Sequence, residues 1–174
     1  MSDCKHFFSA LKRPHSFLVC VFCLFLTGLL VAATSSEEHA TTENQPTCVC
    51  EDICEQKIAS LFERWNDSLL TGDPAKVVAN YAKDSILLPT LSNIPRLSVA
   101  EKEDYFAHFL EDGPSGKINM RKIEIGCNIA VDTGLYTFTF AKTGEETKGR
   151  YTFVYAWDGT DWLIISHHSS LMPE

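Results

Sequence analysis

The sequence predicts an α+β fold in which helices pack against a curved antiparallel sheet. Two observations lead to this prediction. Apolar residues recur at helical spacing over much of residues 54–110, whereas alternating, β-branched and aromatic segments fill the chain from residue 118 onwards. Helices grouped ahead of strands are typical of α+β domains rather than of the βαβ units that build parallel sheets.

An apolar stripe over residues 54–69 predicts a long first helix, because its members recur every three or four residues on an otherwise polar segment. Thr71-Gly72 ends it. Asp73-Pro74 then supplies an N-cap and a proline at the first helical position of a second, shorter helix. This second helix is predicted to extend as far as Tyr81.

The remaining predicted elements are a third helix and the strands. Ser98-x-x-Glu101 is a capping box that opens the helix, and Gly113-Pro114 ends it. Asp158-Gly159 is a strong hairpin signal between the last two strands. The predicted strands, one before the third helix and four after it, span residues 85–89, 118–125, 129–140, 150–157 and 162–166.

The first 33 residues have the features of a secretory signal. Residues 17–33 are apolar and uncharged, basic residues precede them, and small residues at 31–33 fit a cleavage site. We therefore expect export to a periplasm, the extracellular space or a secretory lumen. The alternative is an uncleaved membrane anchor formed by residues 17–33. Residues 34–50 are polar and predict a flexible linker, and the folded domain is predicted over residues 51–174.

The composition argues against several classes of function. The chain has a net charge of −8, and an acidic surface repels nucleic-acid phosphates and anionic lipids. The G-x-S-x-G and H-E-x-x-H motifs and the glycine-rich phosphate loops are absent from the sequence. The sequence therefore identifies no catalytic residue, no cofactor and no metal site.

A ligand pocket is expected where the sheet curls around the first helix. The strand 150–157 is uncharged except for Arg150, which needs either a protein carboxylate or an anionic ligand as its partner. His167 and His168 are neighbours on a strand, so only one can face the interior, either as a ligand contact or as a structural histidine. The predicted ligand is a small carboxylate-type anion, and the predicted pocket residues are Trp65, Tyr81, Tyr136, Arg150, His167 and His168.

The same strand predicts self-association. If Phe138 pairs with Tyr151, the aromatic side chains of two neighbouring strands gather on one face of the sheet. Both faces are then nearly uncharged, and we expect the outer one to be buried against another subunit. The predicted interface residues are Tyr151, Phe153, Tyr155 and Trp157.

Four of the seven cysteines follow the predicted signal, and export permits disulfides. Cys54 lies on the apolar stripe of the first helix, and Cys127 lies at the junction of two strands. We therefore predict a Cys54–Cys127 disulfide. Cys48 and Cys50 lie nearer the linker and are weaker candidates.

The C-terminal part of the chain resembles a known family. Residues 150–155 (RYTFVY), Asp158-Gly159 and residues 162–174 (WLIISHHSSLMPE) are similar to the association domain of calcium/calmodulin-dependent protein kinase II in its free-standing form. That family belongs to the nuclear-transport-factor-2-like (SnoaL-like, cystatin-like) superfamily. The resemblance covers roughly residues 52–174. It implies a cone-shaped domain, assembly into dimers or rings, and an arginine-lined pocket whose arginines correspond here to Phe138, Thr152 and Ser169.

Two functional hypotheses follow. The favoured one is a non-catalytic oligomerising domain with a small-ligand pocket, as the resemblance to the kinase hub implies. The alternative is a small-molecule enzyme (a lyase, isomerase or hydrolase), since ketosteroid-isomerase-like members of the superfamily use the cone for proton transfer. That chemistry needs an inward histidine facing a donor, which here is Tyr81 or Tyr136.

Overall fold

A computed structural model describes residues 50–90 and 92–173, in which most of the helical structure precedes most of the sheet. The predicted signal at 1–33 and nearly all of the predicted linker lie outside the described residues. Within the described part of the chain, no helix has the length and apolar character needed to cross a membrane. The elements are α1 (Glu55–Leu69), α2 (Pro74–Val78), β1 (Tyr81–Leu88), α3 (Val99–Phe109), a 3-10 turn (Leu110–Asp112), β2 (Pro114–Gly126), β3 (Ile129–Phe140), β4 (Glu146–Trp157) and β5 (Trp162–Leu171).

The five strands form one curved sheet in the order β1-β5-β4-β3-β2. Neighbouring strands from β2 to β5 pair antiparallel, whereas β1 pairs parallel with β5. The α+β prediction is confirmed. The parallel pairing at one edge, which the sequence did not predict, places the end of β1 beside the C-terminal half of β5.

Helix α1 packs its apolar stripe on the inner face of the sheet. The ring centroids of Trp65 and Phe153 lie 5.4 Å apart, and those of Phe62 and Tyr151 lie 6.2 Å apart. Asn66 adds a polar anchor, because its Oδ1 accepts a hydrogen bond from the backbone N–H of Gly116 at 2.7 Å. Truncating one such buried aromatic side chain to alanine typically costs about 3–5 kcal/mol, so this interface contributes strongly to the stability of the core.

The second helix ends earlier than predicted, and Tyr81 begins a strand instead. The side-chain amide of Asn80 donates to the carbonyls of Lys76 and Val77 at 3.2 and 3.1 Å, which satisfies acceptors that the helix end leaves unpaired. The carbonyl of Asn80 accepts from the backbone N–H of Ile164 at 2.9 Å. Asn80 therefore joins the helix to the sheet, and β1 is longer than the predicted strand 85–89.

The aromatic residues of β3 and β4 share one face, although the predicted pairing of Phe138 with Tyr151 is wrong. Phe138 pairs with Thr147, and Tyr151 pairs with Gly134. Because the register differs by an even number of residues, the side chains keep the predicted faces. The residues on the buried inner face include Tyr136, Phe138, Tyr151, Phe153 and Tyr155.

The predicted interface residues are consequently misplaced. Tyr151, Phe153 and Tyr155 are buried within the domain, and only Trp157 is partly exposed. The opposite face of the sheet, here called the outer face, carries partly exposed residues at the alternate positions of β3 and β4 together with the exposed Arg150. These residues are Val131, Thr133, Leu135, Arg150, Thr152 and Val154.

The disulfide of Cys127 also differs from the prediction. Cys127 is bonded to Cys50, with 4.9 Å between their Cα atoms, and not to Cys54, which is itself disulfide-bonded. The segment before α1 runs beside the turn between β2 and β3, since the backbone N–H of Glu51 donates to Asn128 Oδ1 at 2.7 Å. This path brings Cys50 rather than Cys54 to the turn.

Candidate functional site

A cavity of about 640 Å³ lies between the inner face of the sheet, α1 and α3. Seven aromatic residues line it, and polar side chains reach it from α3, β3, β4, β5 and the loops between these elements. A wall that combines aromatic side chains with converging polar groups is typical of ligand-binding pockets. The aromatic wall consists of Trp65, Tyr105, Phe106, Phe109, Tyr136, Phe138 and Phe140.

Three hydroxyl groups meet in this cavity. Ser169 of β5 is hydrogen-bonded through Oγ to Tyr136 of β3 and to Thr90, which follows β1. Burial raises the pKa of Tyr136 to about 12, so its phenol keeps its proton at neutral pH. Thr90, Tyr136 and Ser169, here called the hydroxyl cluster, can donate and accept hydrogen bonds but carry no charge.

His167 lies beside the hydroxyl cluster and is 4% exposed. Its ring stacks on Phe153 with 4.0 Å between the centroids, and its Nδ1 lies 2.8 Å from the hydroxyl of Tyr81. Burial, with a smaller contribution from His168, lowers the pKa of His167 to about 3. The imidazole is therefore neutral at physiological pH. Its Nε2 is buried and has no hydrogen-bond partner among the described residues.

Arg96 supplies a positive charge in the cavity wall. Backbone hydrogen bonds in both directions between Arg96 and Leu87, at 3.0 and 2.9 Å, attach its segment to β1. The guanidinium carbon lies 6.0 Å from the ring centroid of Tyr105, a cation–π arrangement. The Nε of Arg96 is buried and lacks a hydrogen-bond partner in the described part of the chain. Sequence reasoning missed this residue, since it lies in a loop without periodicity.

The predicted pocket residues separate into three groups. Trp65, Tyr136 and His167 line the cavity. Tyr81 lies behind His167 and contacts it. Arg150 is exposed on the outer face, so its predicted place in the pocket was wrong. Only one of the two histidines was expected to face inward, and His168 is the one that is exposed. Arg150 and His168 both alternate along their strands with inward residues, and the guanidinium of Arg150 donates to the carbonyl of Leu171 at 3.3 Å.

The rim of the cavity is acidic. Asp104, Asp112 and Glu145 lie there together with His108. A hydrogen bond from the His108 ring to the carbonyl of Asp104 raises the pKa of this exposed imidazole. Residues 50–90 and 92–173 contain no group of three or more His, Cys, Asp or Glu side chains that could hold a metal ion.

Sequence comparison now decides the family. Residues 54–173 match the profile of the calcium/calmodulin dependent protein kinase II association domain. The chain belongs to this family. No curated protein matches the chain.

One solved structure supports this assignment, and two more distant ones share the fold. A Xanthomonas campestris protein, provisionally described as such an association domain, is 47% identical, covers 71% of this chain and 91% of its own, and has a TM-score of 0.67. The cyanobacterial iota-carbonic anhydrase complexed with bicarbonate is 21% identical over 72% of this chain and 96% of its own, with a TM-score of 0.64. An NTF2-like protein of unknown function from Pseudomonas putida is 17% identical over 69% and 87%, with a TM-score of 0.61.

The pocket of this association domain differs from the arginine-lined pocket that the kinase hub implies. Of the three corresponding positions, Phe138 and Ser169 line the cavity, and Thr152 lies on the outer face. Among the described residues, the arginine in the cavity wall is Arg96, which corresponds to none of these three positions.

Proposed function

We propose that the cavity binds bicarbonate and catalyses its reversible interconversion with carbon dioxide. The observation that supports this most directly is the hydroxyl cluster, which lies beside the neutral His167 in an aromatic cavity. This replaces the favoured expectation of a purely non-catalytic domain with the enzyme alternative, because hydration of carbon dioxide is a lyase-class reaction. It keeps the expected carboxylate-type ligand.

The two sides of the reaction need different surroundings, and the cavity offers both. Carbon dioxide is apolar and uncharged, so aromatic side chains such as Phe106 and Phe138 suit it. Bicarbonate is a planar oxyanion, for which the hydroxyls and the guanidinium of Arg96 are suitable hydrogen-bond donors. The acidic rim does not hinder a neutral gas and weakly repels an anion, which favours departure of bicarbonate.

Hydration requires a water oxygen to attack the carbon atom. As the new C–O bond forms, one C=O π electron pair moves to oxygen, and the water loses a proton. The hydroxyl cluster can hold the attacking water by accepting its hydrogens. His167, with a pKa of about 3, is a poor acceptor of this proton at neutral pH. We therefore propose that solvent or buffer accepts the proton, which leaves the cavity through the rim that contains His108.

The cyanobacterial carbonic anhydrase with bicarbonate lends support to this proposal through its shared fold. Its low identity means that the assignment of residues rests on the cavity of this chain alone. The test is stopped-flow hydration of carbon dioxide with a pH indicator. We expect Ser169→Ala to lower the rate roughly 100-fold, the loss typical of removing one preorganised donor, and His168→Gln to match the wild type.

The outcomes of this assay are unambiguous when folding is checked by circular dichroism. Wild-type protein that does not accelerate hydration, with or without added zinc, contradicts the proposal. Equal losses in the Ser169 and His168 variants contradict the assignment of the site.

A second part of the proposal is self-association through the outer face. The supporting observation is the direct pairing of Val131 with Val154 on a sheet face whose residues are only partly exposed. Met120, which pairs with Leu135 beside it, is 51% exposed. Glu124 and Arg150 lie on the same face and pair with Val131 and Leu135, so charged residues flank the apolar residues. An apolar patch with a charged border is typical of an interaction surface.

Export of the mature chain is likewise proposed, on the strength of residues 17–33. N-terminal sequencing of protein recovered from the exported fraction should start close to residue 34. A full-length chain that stays with the membrane supports the anchor alternative, and a full-length chain in the cytosol contradicts both.

A further inference from the structure

We infer that Tyr81 and Trp65 fix which nitrogen of His167 carries the proton, so that the imidazole offers an Nε2–H donor to the cavity. The position of the proton is a property of the folded chain. Its catalytic consequence rests on the proposed interconversion of carbon dioxide and bicarbonate.

The side chains of Trp65, Tyr81 and His167 form a chain of hydrogen bonds. The indole Nε1 of Trp65 lies 3.1 Å from the hydroxyl oxygen of Tyr81, and that oxygen lies 2.8 Å from Nδ1 of His167. An indole N–H can only donate, so the Tyr81 oxygen accepts from it. The single hydroxyl hydrogen of Tyr81 is then available for Nδ1. In this arrangement Nδ1 is the acceptor and Nε2 carries the proton.

The opposite arrangement leaves two buried polar groups unpaired, whereas the Nε2–H form leaves only one. If Nδ1 carried the proton, the Tyr81 oxygen would accept two hydrogen bonds, and its own hydrogen would have no acceptor among the described residues. Burial raises the pKa of Tyr81 well above its usual value, so the phenol cannot relieve this by losing its proton. The Nδ1–H form thus leaves both the Tyr81 hydroxyl hydrogen and the bare Nε2 unpaired, and the Nε2–H form leaves only the Nε2–H group unpaired. One additional unsatisfied buried group is enough to favour the Nε2–H form by about tenfold or more.

Packing keeps the ring in this orientation. Phe153 stacks on one side of the imidazole, and Trp65 meets it edge-on at 5.4 Å between the centroids. Because Nδ1 faces Tyr81, Nε2 lies on the far edge of the ring, where it is buried without a partner among the described residues, and the His167 side chain lines the cavity. An oxygen of a bound anion would supply the missing acceptor.

This assignment gives His167 a specific task in the proposed reaction. When water attacks carbon dioxide, negative charge develops on the oxygen that receives the π electron pair. A neutral Nε2–H can stabilise that charge by hydrogen bonding without transferring its proton. In this scheme Tyr81 and Trp65 do not contact the reacting atoms. They act through His167 as positioning residues.

The test is nitrogen NMR on the ¹⁵N-labelled full chain at neutral pH, since protonated and bare imidazole nitrogens have well-separated shifts. His167→Gln identifies the His167 signals by their loss. We expect wild-type His167 to be protonated on Nε2 and bare on Nδ1. Tyr81→Phe should move the proton partly or wholly to Nδ1 and lower the hydration rate about tenfold.

Tyr155→Phe is the matched control, because Tyr155 is also a buried tyrosine, and its hydroxyl has no hydrogen-bond partner among the described residues. It should change neither the shifts of His167 nor the rate. Trp65→Phe provides a second variant with partial loss of the preference, should Tyr81→Phe not fold.

Wild-type His167 protonated on Nδ1 overturns the inference outright. An unchanged rate in a Tyr81→Phe variant whose proton has moved overturns the catalytic consequence. A wild-type protein that carries the Nε2 proton yet shows no hydration activity supports the inference and contradicts the proposed function, so the two can fail separately.

Discussion

His167 and His168 are consecutive residues that lie on opposite faces of one strand. His167 pairs with Phe153 on the inner face, and His168 pairs with Thr152 on the outer face. The first is buried in the cavity wall, and the second is exposed. Because the two histidines are adjacent in the sequence but differ in burial, a substitution of His168 is a control for the same substitution of His167.

The buried histidine should make the stability of the domain depend on pH. The pKa of His167 is about 3 in the folded state and close to 6.5 when unfolded, so only the unfolded chain binds this proton as the pH falls below 6.5. The free energy of unfolding should therefore decrease towards acid. Between pH 6 and pH 5, chemical denaturation should show wild type losing about 1 kcal/mol more than His167→Gln. A His167→Gln slope identical to that of the wild type would contradict the assigned pKa.

The positive charge that binds the anion should be that of Arg96. Arg96→Ala should weaken bicarbonate binding, measured by ¹³C NMR titration, about 10- to 100-fold, because a hydrogen bond to a charged group contributes about 1.5–3 kcal/mol. Arg150→Ala removes the same charge from the outer face and should leave the affinity unchanged. Equal weakening in both variants would show that net charge, rather than the cavity, attracts the anion.

The outer face should control the oligomeric state. Val154→Asp places a charge at the centre of the Val131–Val154 pair and should shift the protein towards monomers in light scattering coupled to size-exclusion chromatography. Leu70→Asp, at a 66% exposed position after α1, is the control and should not change the mass. A wild-type protein that is monomeric at tens of micromolar rules out this interface.

The Cys50–Cys127 disulfide should contribute strongly to stability. It joins residues 77 apart, and closing a loop of that length stabilises a protein by roughly 4 kcal/mol in the chain-entropy model. Cys127→Ser should lower the free energy of unfolding by an amount of that order. Peptide mapping without reductant should recover a peptide that joins Cys50 to Cys127. Recovery of Cys127 joined to Cys54 would restore the pairing that the sequence predicts.

Local patterns explain which elements could be predicted from the sequence. The apolar stripe of α1 fixes the orientation of the helix, since a helix with five buried apolar residues at that spacing can face the core in only one way. Tyr81 fits helical spacing as well as it fits a strand, and only the capping of α2 by Asn80 distinguishes them. The inner face of β3 and β4 was predicted correctly because a register shift by an even number of residues leaves each side chain on the same face of the sheet.

The parts that failed depend on contacts between distant segments. Arg150 precedes Tyr151 directly and therefore has the opposite parity on the strand. The aromatic inner face thus already implied that Arg150 points outward, and placing it in the pocket contradicted that pattern. Arg96 is held at the cavity by its backbone pairing with Leu87. No periodic pattern in the sequence predicts this pairing. The partner of Cys127 depends on the path of an irregular segment before α1, which the sequence does not specify.

The position of β5 has a consequence for the order in which the chain can fold. β5 is the last strand to be synthesised, yet it lies between β1 and β4 and contributes His167 and Ser169. While the ribosome still holds that strand, β1 has no neighbour in the sheet, and the cavity lacks one wall. The cavity can therefore close only after β5 has left the ribosome, although β2, β3 and β4 can already pair with one another.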